Sequence, residues 1–211
     1  MPESYFTHAR PEMQPFVPDS VRRVLDIGCG AGAFGAALKS RIEGLSVTGV
    51  EMDPEAAESA RARLDLVLTG DAAAALARMQ DQKFDAIVLN DVLEHVMDPE
   101  ALLRQLRPHV ADGGCVVASI PNVREFFTVL DLVLRGRWDY VDEGILDRTH
   151  LRFFTRASLP GLFERGGFHL ESVAGINRSG STKFKLFNLL SLGRFSDMGY
   201  LQFACVARPV N

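Results

Sequence analysis

The chain reads as an α/β protein built on a doubly wound parallel sheet, and three observations carry that reading. An apolar run ends in alternating glycines (residues 23–35), strand-like and helix-like patterns alternate from there to residue 135, and Asp-Pro pairs at 53–54 and 98–99 mark helix starts. Strands separated by helices favour a parallel sheet with helices on both faces.

The first element is the most informative. Val24, Leu25 and Ile27 surround Asp26, and the run breaks on Gly28, Gly30 and Gly32 before a helical pattern through Leu38 and Lys39. This predicts a strand, a tight turn and the opening of a helix. Glycine is needed where the backbone takes unusual dihedrals and a ligand must approach a position that a Cβ would fill. Further strands are expected at 46–51, 66–70, 85–90 and 115–120, after the first at 23–28. Helices are expected at 33–42, 54–64, 72–80, 99–110 and 123–135. Asp53-Pro54 and Asp98-Pro99 each supply a capping carboxylate and a proline at the first helical position. Thr155–Arg165 reads as a helix stopped by Gly166-Gly167, followed by strands near 168–176 and 200–208.

The 211 residues fit one α/β domain over 1–211, with no repeat or linker. Two segments lie outside the plain alternation, an N-terminal arm (1–20) and an insertion at about 135–154. A net charge of −4 argues against a broad phosphate-binding face, so nucleic acid is not the expected partner. The three cysteines, Cys29, Cys115 and Cys205, form no C-x-x-C pair and read as reduced thiols. No signal segment opens the chain and no apolar run spans a bilayer, so the expected location is the cytoplasm.

Gly28, Gly30 and Ala33 also satisfy the dinucleotide fingerprint G-x-G-x-x-G/A, which keeps a nicotinamide-dependent oxidoreductase open. Glu51 ends the second strand 21 residues beyond Gly30, where a carboxylate suits the two ribose hydroxyls of either cofactor. Asp71 and Asn90 are polar residues at predicted strand ends, the edge where open α/β sheets bind ligands.

Val24–Gly32, Gly49-Val-Glu-Met-Asp53, Gly70-Asp71 and Phe84–Asn90 resemble, in order, the motifs of class I S-adenosylmethionine-dependent methyltransferases. The resemblance implies a Rossmann-like seven-stranded sheet, mostly parallel, with the last strand inserted antiparallel. It places Asp26, Gly28 and Gly30 around the methionine part of S-adenosylmethionine. Glu51 would hold the ribose, Met52 and Ala72 would lie beside the adenine, Asp71 would accept from its amino group, and Asn90 would line the cleft.

The arm carries Tyr5, Phe6, His8 and Arg10. It reads either as a surface segment or as a helix over the cofactor, with Arg10 on the methionine carboxylate. After the fourth strand comes Asp91-Val-Leu-Glu94-His95. On a helix these three polar residues share one face at i, i+3 and i+4, a divalent-cation ligand set that His150 would complete. The cluster resembles that of ubiquinone-biosynthesis O-methyltransferases and of small-RNA 3′-terminal ribose methyltransferases, although those carry glutamate where Asp91 stands. Without metal, His150 or His95 is the candidate general base.

The loop motifs Pro121-Asn-Val-Arg124, Gly136–Tyr140 and Ile145–Thr155 resemble a bacterial subgroup associated with surface-polysaccharide pathways. That favours a small-molecule or glycan hydroxyl as methyl acceptor. Asn122 would touch substrate or cap the next helix, and Trp138 and Tyr140 would meet substrate or fill a satellite core. The stretch Phe184–Leu192 reads as a core-packing helix. The alternative is a homodimer face or lid, as in a cofactor-binding partner subunit without transfer activity.

Overall fold

The structure is a computed structural model that describes residues 8–210. Seven strands form one sheet: β1 (Arg23–Ile27), β2 (Ser46–Glu51), β3 (Leu66–Thr69), β4 (Phe84–Asn90), β5 (Val110–Pro121), β6 (Phe168–Arg178) and β7 (Tyr200–Pro209). Their spatial order is β3-β2-β1-β4-β5-β7-β6. The first five run parallel, and β7 inserts antiparallel between β5 and β6. The helices are α1 (Ala33–Arg41), α2 (Pro54–Arg61), α3 (Ala72–Ala77), α4 (Pro99–Leu106), α5 (Phe126–Arg135), α6 (Leu159–Arg165) and α7 (Thr182–Leu190).

Near-continuous apolar strands work here because both faces of the sheet are covered. Leu25 and Ile27 point into one core, with Ile87, Leu89 and Val116 beside them and Leu103 and Phe163 from α4 and α6 above. Val24, Ala86, Val88 and Val117 point into the other, against Phe34 and Leu38 of α1 and Ala57 and Ala60 of α2. The period of two along each strand feeds both cores at once. Leu103 is fully buried, so truncating it to alanine is expected to cost about 3 kcal/mol.

Several boundaries differ from expectation for local reasons. The expected helix over 99–110 stops at Leu106, and a 3-10 turn with Pro108 leads directly into β5. β5 therefore starts at Val110, with an irregular register between the Phe84 and Ala86 pairings. The expected helix over 123–135 starts at Phe126, where Glu125 accepts from the Phe127 and Thr128 amides. Asn122 is not its cap. The buried Asn122 amide donates to the carbonyls of Asp197 and Tyr200, tying the end of β5 to the start of β7.

The Phe184–Leu192 stretch forms α7 but does not pack into the main core. Only Phe184 of that helix is buried, in a small cluster with Phe126 and Met198. Trp138 does contribute to a satellite contact, packing edge-on against Phe153 at 5.2 Å. Asp91 starts no helix either. Its backbone is left-handed (φ 53), and the chain then makes a single 3-10 turn over Leu93–His95.

Candidate active site

The carboxyl ends of β1, β2 and β4 open into a cleft of ≈ 1900 Å³. Gly28 holds φ 71 at the end of β1, and a Cβ there would lie 2.9 Å from Val92 Cγ2. The position is closed to side chains both conformationally and sterically. The Gly28 and Cys29 amides donate to the Val50 carbonyl at 2.8 and 3.1 Å, which clamps the turn onto β2.

Glu51 organises the next layer. One carboxylate oxygen accepts from the Gly30 amide at 2.8 Å, the other from the Asp53 amide at 2.9 Å. Each oxygen keeps lone pairs, so the fixed carboxylate can accept from two neighbouring hydroxyls. Met52, 72% exposed, forms an apolar wall beside it. Asp71 caps α3 by accepting from the Ala74 amide at 2.9 Å, and both Asp71 and Ala72 line the same cleft.

Asp26 and Asn90 lie on the cleft floor, and each has a buried oxygen with no partner among the described residues. Burial, with the Glu51 charge added, pushes the Asp26 carboxyl up to about 7. Orphaned buried acceptors are rare in folded proteins, and a functional role is one of their accepted explanations.

A second group of polar residues stands at the ends of β4, β5 and β7. Arg10 is ion-paired with Asp91, donates to Ser119 Oγ at 3.1 Å and to Gln202 Oε1 at 3.2 Å, and bonds Glu12 at 2.6 Å. Ser119 and Gln202 themselves donate to Asp91 at 2.7 and 2.8 Å. Asn177 extends the network by donating to Gln202 at 2.8 Å. Arg10 thus lines the cleft, with Asp91 as its partner. Tyr5 and Phe6 of the arm lie outside the described residues.

Glu94, His95 and His150 form a third group, each offering a ligand atom within 4.8 Å of the others. Asp91 stands outside that set, because its carboxylate is taken up by Arg10, Ser119 and Gln202. Both Glu94 carboxylate oxygens are buried without a partner among the described residues. Burial, then the Asp91 charge, raises the Glu94 carboxyl well above the usual range. His150 Nδ1 lies 3.0 Å from the Ile145 carbonyl, which can only accept, so Nδ1 carries the proton and Nε2 keeps a free lone pair. His95 Nδ1 faces Thr149 Oγ1 at 3.1 Å, and that hydroxyl donates onward to Asp147 at 2.6 Å. Oxygen partners on Nδ1, one of them backed by a carboxylate, orient metal-binding or basic imidazoles. Burial, then His150, lowers the His95 pKa, which favours the neutral ring. The Leu151 and Arg152 amides donate to the Glu94 carbonyl at 2.8 and 3.0 Å, pinning the 135–154 insertion against this turn.

Residues 3–173 match the profile of a family described as a methyltransferase domain. A ubiquinone biosynthesis O-methyltransferase of Pseudomonas aeruginosa is 33% identical over 177 residues, covering 79% of this chain and 73% of that protein. One of Xylella fastidiosa is 32% identical over 200 residues, covering 92% and 76%. The crystal structure of an S-adenosylmethionine-dependent methyltransferase from Archaeoglobus fulgidus superposes with a TM-score of 0.72 at 18% identity, covering 98% of this chain and 94% of that one. Fold, cleft and profile together define a methyl-transferring enzyme. The chain belongs to the class I S-adenosylmethionine-dependent methyltransferases, and among them it is similar to O-methyltransferases.

Proposed function

We propose that the protein transfers the methyl group of S-adenosylmethionine to a hydroxyl of a small molecule or sugar. The observation that carries this reading is the pairing of Glu51 with Gly30 above a floor of unpartnered acceptors. Glu51 meets the ribose hydroxyls, and the Asp26 carboxyl receives the ammonium of the methionine part. Met52 and Ala72 flank the adenine, with Asp71 on its amino group, while Gly28, Gly30 and Asn90 leave room for the methionine chain. Arg10 serves the methionine carboxylate only by sharing its guanidinium with Asp91.

When bound, the cofactor supplies an electrophilic methyl carbon, and transfer is an in-line displacement with no covalent enzyme intermediate. The protein's work is therefore alignment of the acceptor and removal of its proton. The free Nε2 of His150 or His95 takes that proton, since each Nδ1 is committed to a neighbouring oxygen. Glu94, His95 and His150 also fit a divalent cation, because an orphaned carboxylate and two oriented imidazoles form a mixed O/N ligand set. A cation held there would supply Lewis acidity toward the acceptor's hydroxyls. Asp91 is then a structural acid rather than a ligand. The names of the relatives support O-methylation, and three free buried thiols are consistent with a cytoplasmic enzyme. Residues 1–211 are taken as one domain, with 1–20 as arm and about 135–154 as cap over the cleft.

Isothermal titration with S-adenosylhomocysteine and NAD tests the cofactor assignment, and binding of NAD alone would refute it. Transfer of labelled methyl groups to a panel of polyhydroxylated and phenolic metabolites tests the acceptor class.

A further inference from the structure

Helix α7 turns its aromatic residues inward and its leucines outward. Phe184 is buried against Phe126, and Phe187 stacks on Phe195 at 5.3 Å. Leu186, Leu189 and Leu190, spaced i, i+3 and i+4, share the opposite face and are exposed, Leu190 to 76%. Just beyond the helix, Leu192 is 94% exposed and held in a left-handed conformation (φ 53) that leucine seldom adopts. Val133 and Leu134 of α5, the helix that packs on α7 through Phe126, are exposed as well.

The charge along the segment that carries α7 is one-sided. Residues 172–196 contain Arg178, Lys183, Lys185 and Arg194 and no acid, in a chain of net charge −4. All four cations are exposed, and none is ion-paired among the described residues. A second copy meeting the face across a twofold axis would set these cations against their own mates. An anionic lipid surface answers both features, taking leucines at the acyl boundary and cations at the headgroups. No described helix is long and apolar enough to cross a membrane, and α7 spans only 9 residues, so the contact lies in the interfacial plane.

We infer that α7 and the turn through Leu192 dock this enzyme on anionic membranes. Asn177 and Gln202, paired on the strands that flank the segment, line the active-site cleft, so docking brings its rim toward lipid-borne acceptors.

Co-sedimentation with vesicles of phosphatidylcholine, alone or mixed with phosphatidylglycerol, is the test. The protein is expected to bind the mixed vesicles, less so as salt rises, and to bind pure phosphatidylcholine poorly. Replacing Leu190→Asp with Leu192→Asp should reduce binding at least about tenfold. Lys183→Glu with Lys185→Glu, which leaves the apolar face intact, should also reduce it about tenfold. Both variants should keep wild-type affinity for S-adenosylhomocysteine, which separates docking from misfolding and from the cofactor assignment. Failure of the wild-type protein to bind anionic vesicles would overturn the inference. So would wild-type dimers that the leucine variant dissociates without loss of vesicle binding, since the face would then belong to a second copy.

Discussion

The guanidinium of Arg10 lies against the carboxylate of Asp91, 81 residues away, and joins the N-terminal segment to the end of β4. Both side chains are mostly buried, and the fork of Arg10 also reaches Ser119 and Gln202. Arg10→Ala leaves Asp91 without its cation and is expected to cost about 2 kcal/mol in urea unfolding, a value discounted for residual exposure. Arg10→Lys should recover only part of this, because an ammonium cannot reproduce the fork. Equal stability of all three proteins would remove the pair from any structural role.

Asp26 is expected to make stability and cofactor binding depend on pH. Its carboxyl is raised from an ordinary 3.8 to about 7 by burial and then by Glu51, so the folded state holds a proton that the unfolded chain releases. Stability from this group is complete below about pH 4 and is lost as pH rises through about 7. Asp26→Asn should therefore stabilise the free protein at alkaline pH, by at most about 4 kcal/mol, and change little in acid. Pairing with the ligand ammonium should restore the ionised form. Titration of S-adenosylhomocysteine near pH 6, in buffers of different ionisation enthalpy, should then show proton release.

Under the proposed function Glu51 has two tasks that one substitution separates. Glu51→Gln keeps an acceptor for one backbone amide but loses the charge and the paired acceptors that suit two hydroxyls. A fall of about a hundredfold in S-adenosylhomocysteine affinity is expected, with a melting temperature within a few degrees of wild type. An unaltered affinity would place the ribose elsewhere.

The Glu94–His95–His150 group has its own outcomes. His150→Ala and Glu94→Gln should each lower the metal content found by elemental analysis, and EDTA should lower methyl transfer in parallel. Activity that survives EDTA in metal-free protein would leave His150 and His95 with the base role alone. In that case turnover should rise with pH as the imidazole loses its proton.

The cleft at the sheet edge was legible in the chain because its residues lie on local units. Gly28, Gly30, Glu51, Asp71 and Asn90 each sit at a strand end, and parallel strands bring those ends to one edge. Ser119, Asn177 and Gln202 were not legible. Ser119 and Gln202 meet Asp91, and Asn177 meets Gln202, only because β7 inserts antiparallel beside β5, pairing Ser119 with Ala204 and Ile176 with Gln202. The one available signal was Ser119 between Ala118 and Ile120 and Gln202 between Leu201 and Phe203, a polar residue with apolar neighbours on both sides. Asp91 was expected on a helical face, a spacing argument that fails once the backbone turns left-handed at that residue.

By itself the sequence determined the order of strands and helices, the glycine turn and the carboxylate after β2. These follow from short-range periodicity, backbone freedom and capping, which need no distant partner. Only the tertiary structure decided that Asp91 pairs with Arg10 and leaves Glu94 with the two histidines. It alone left the leucines of α7 facing outward. Both outcomes turn on which distant groups compete for the same charge or the same apolar surface, and that competition exists only once the chain has closed on itself.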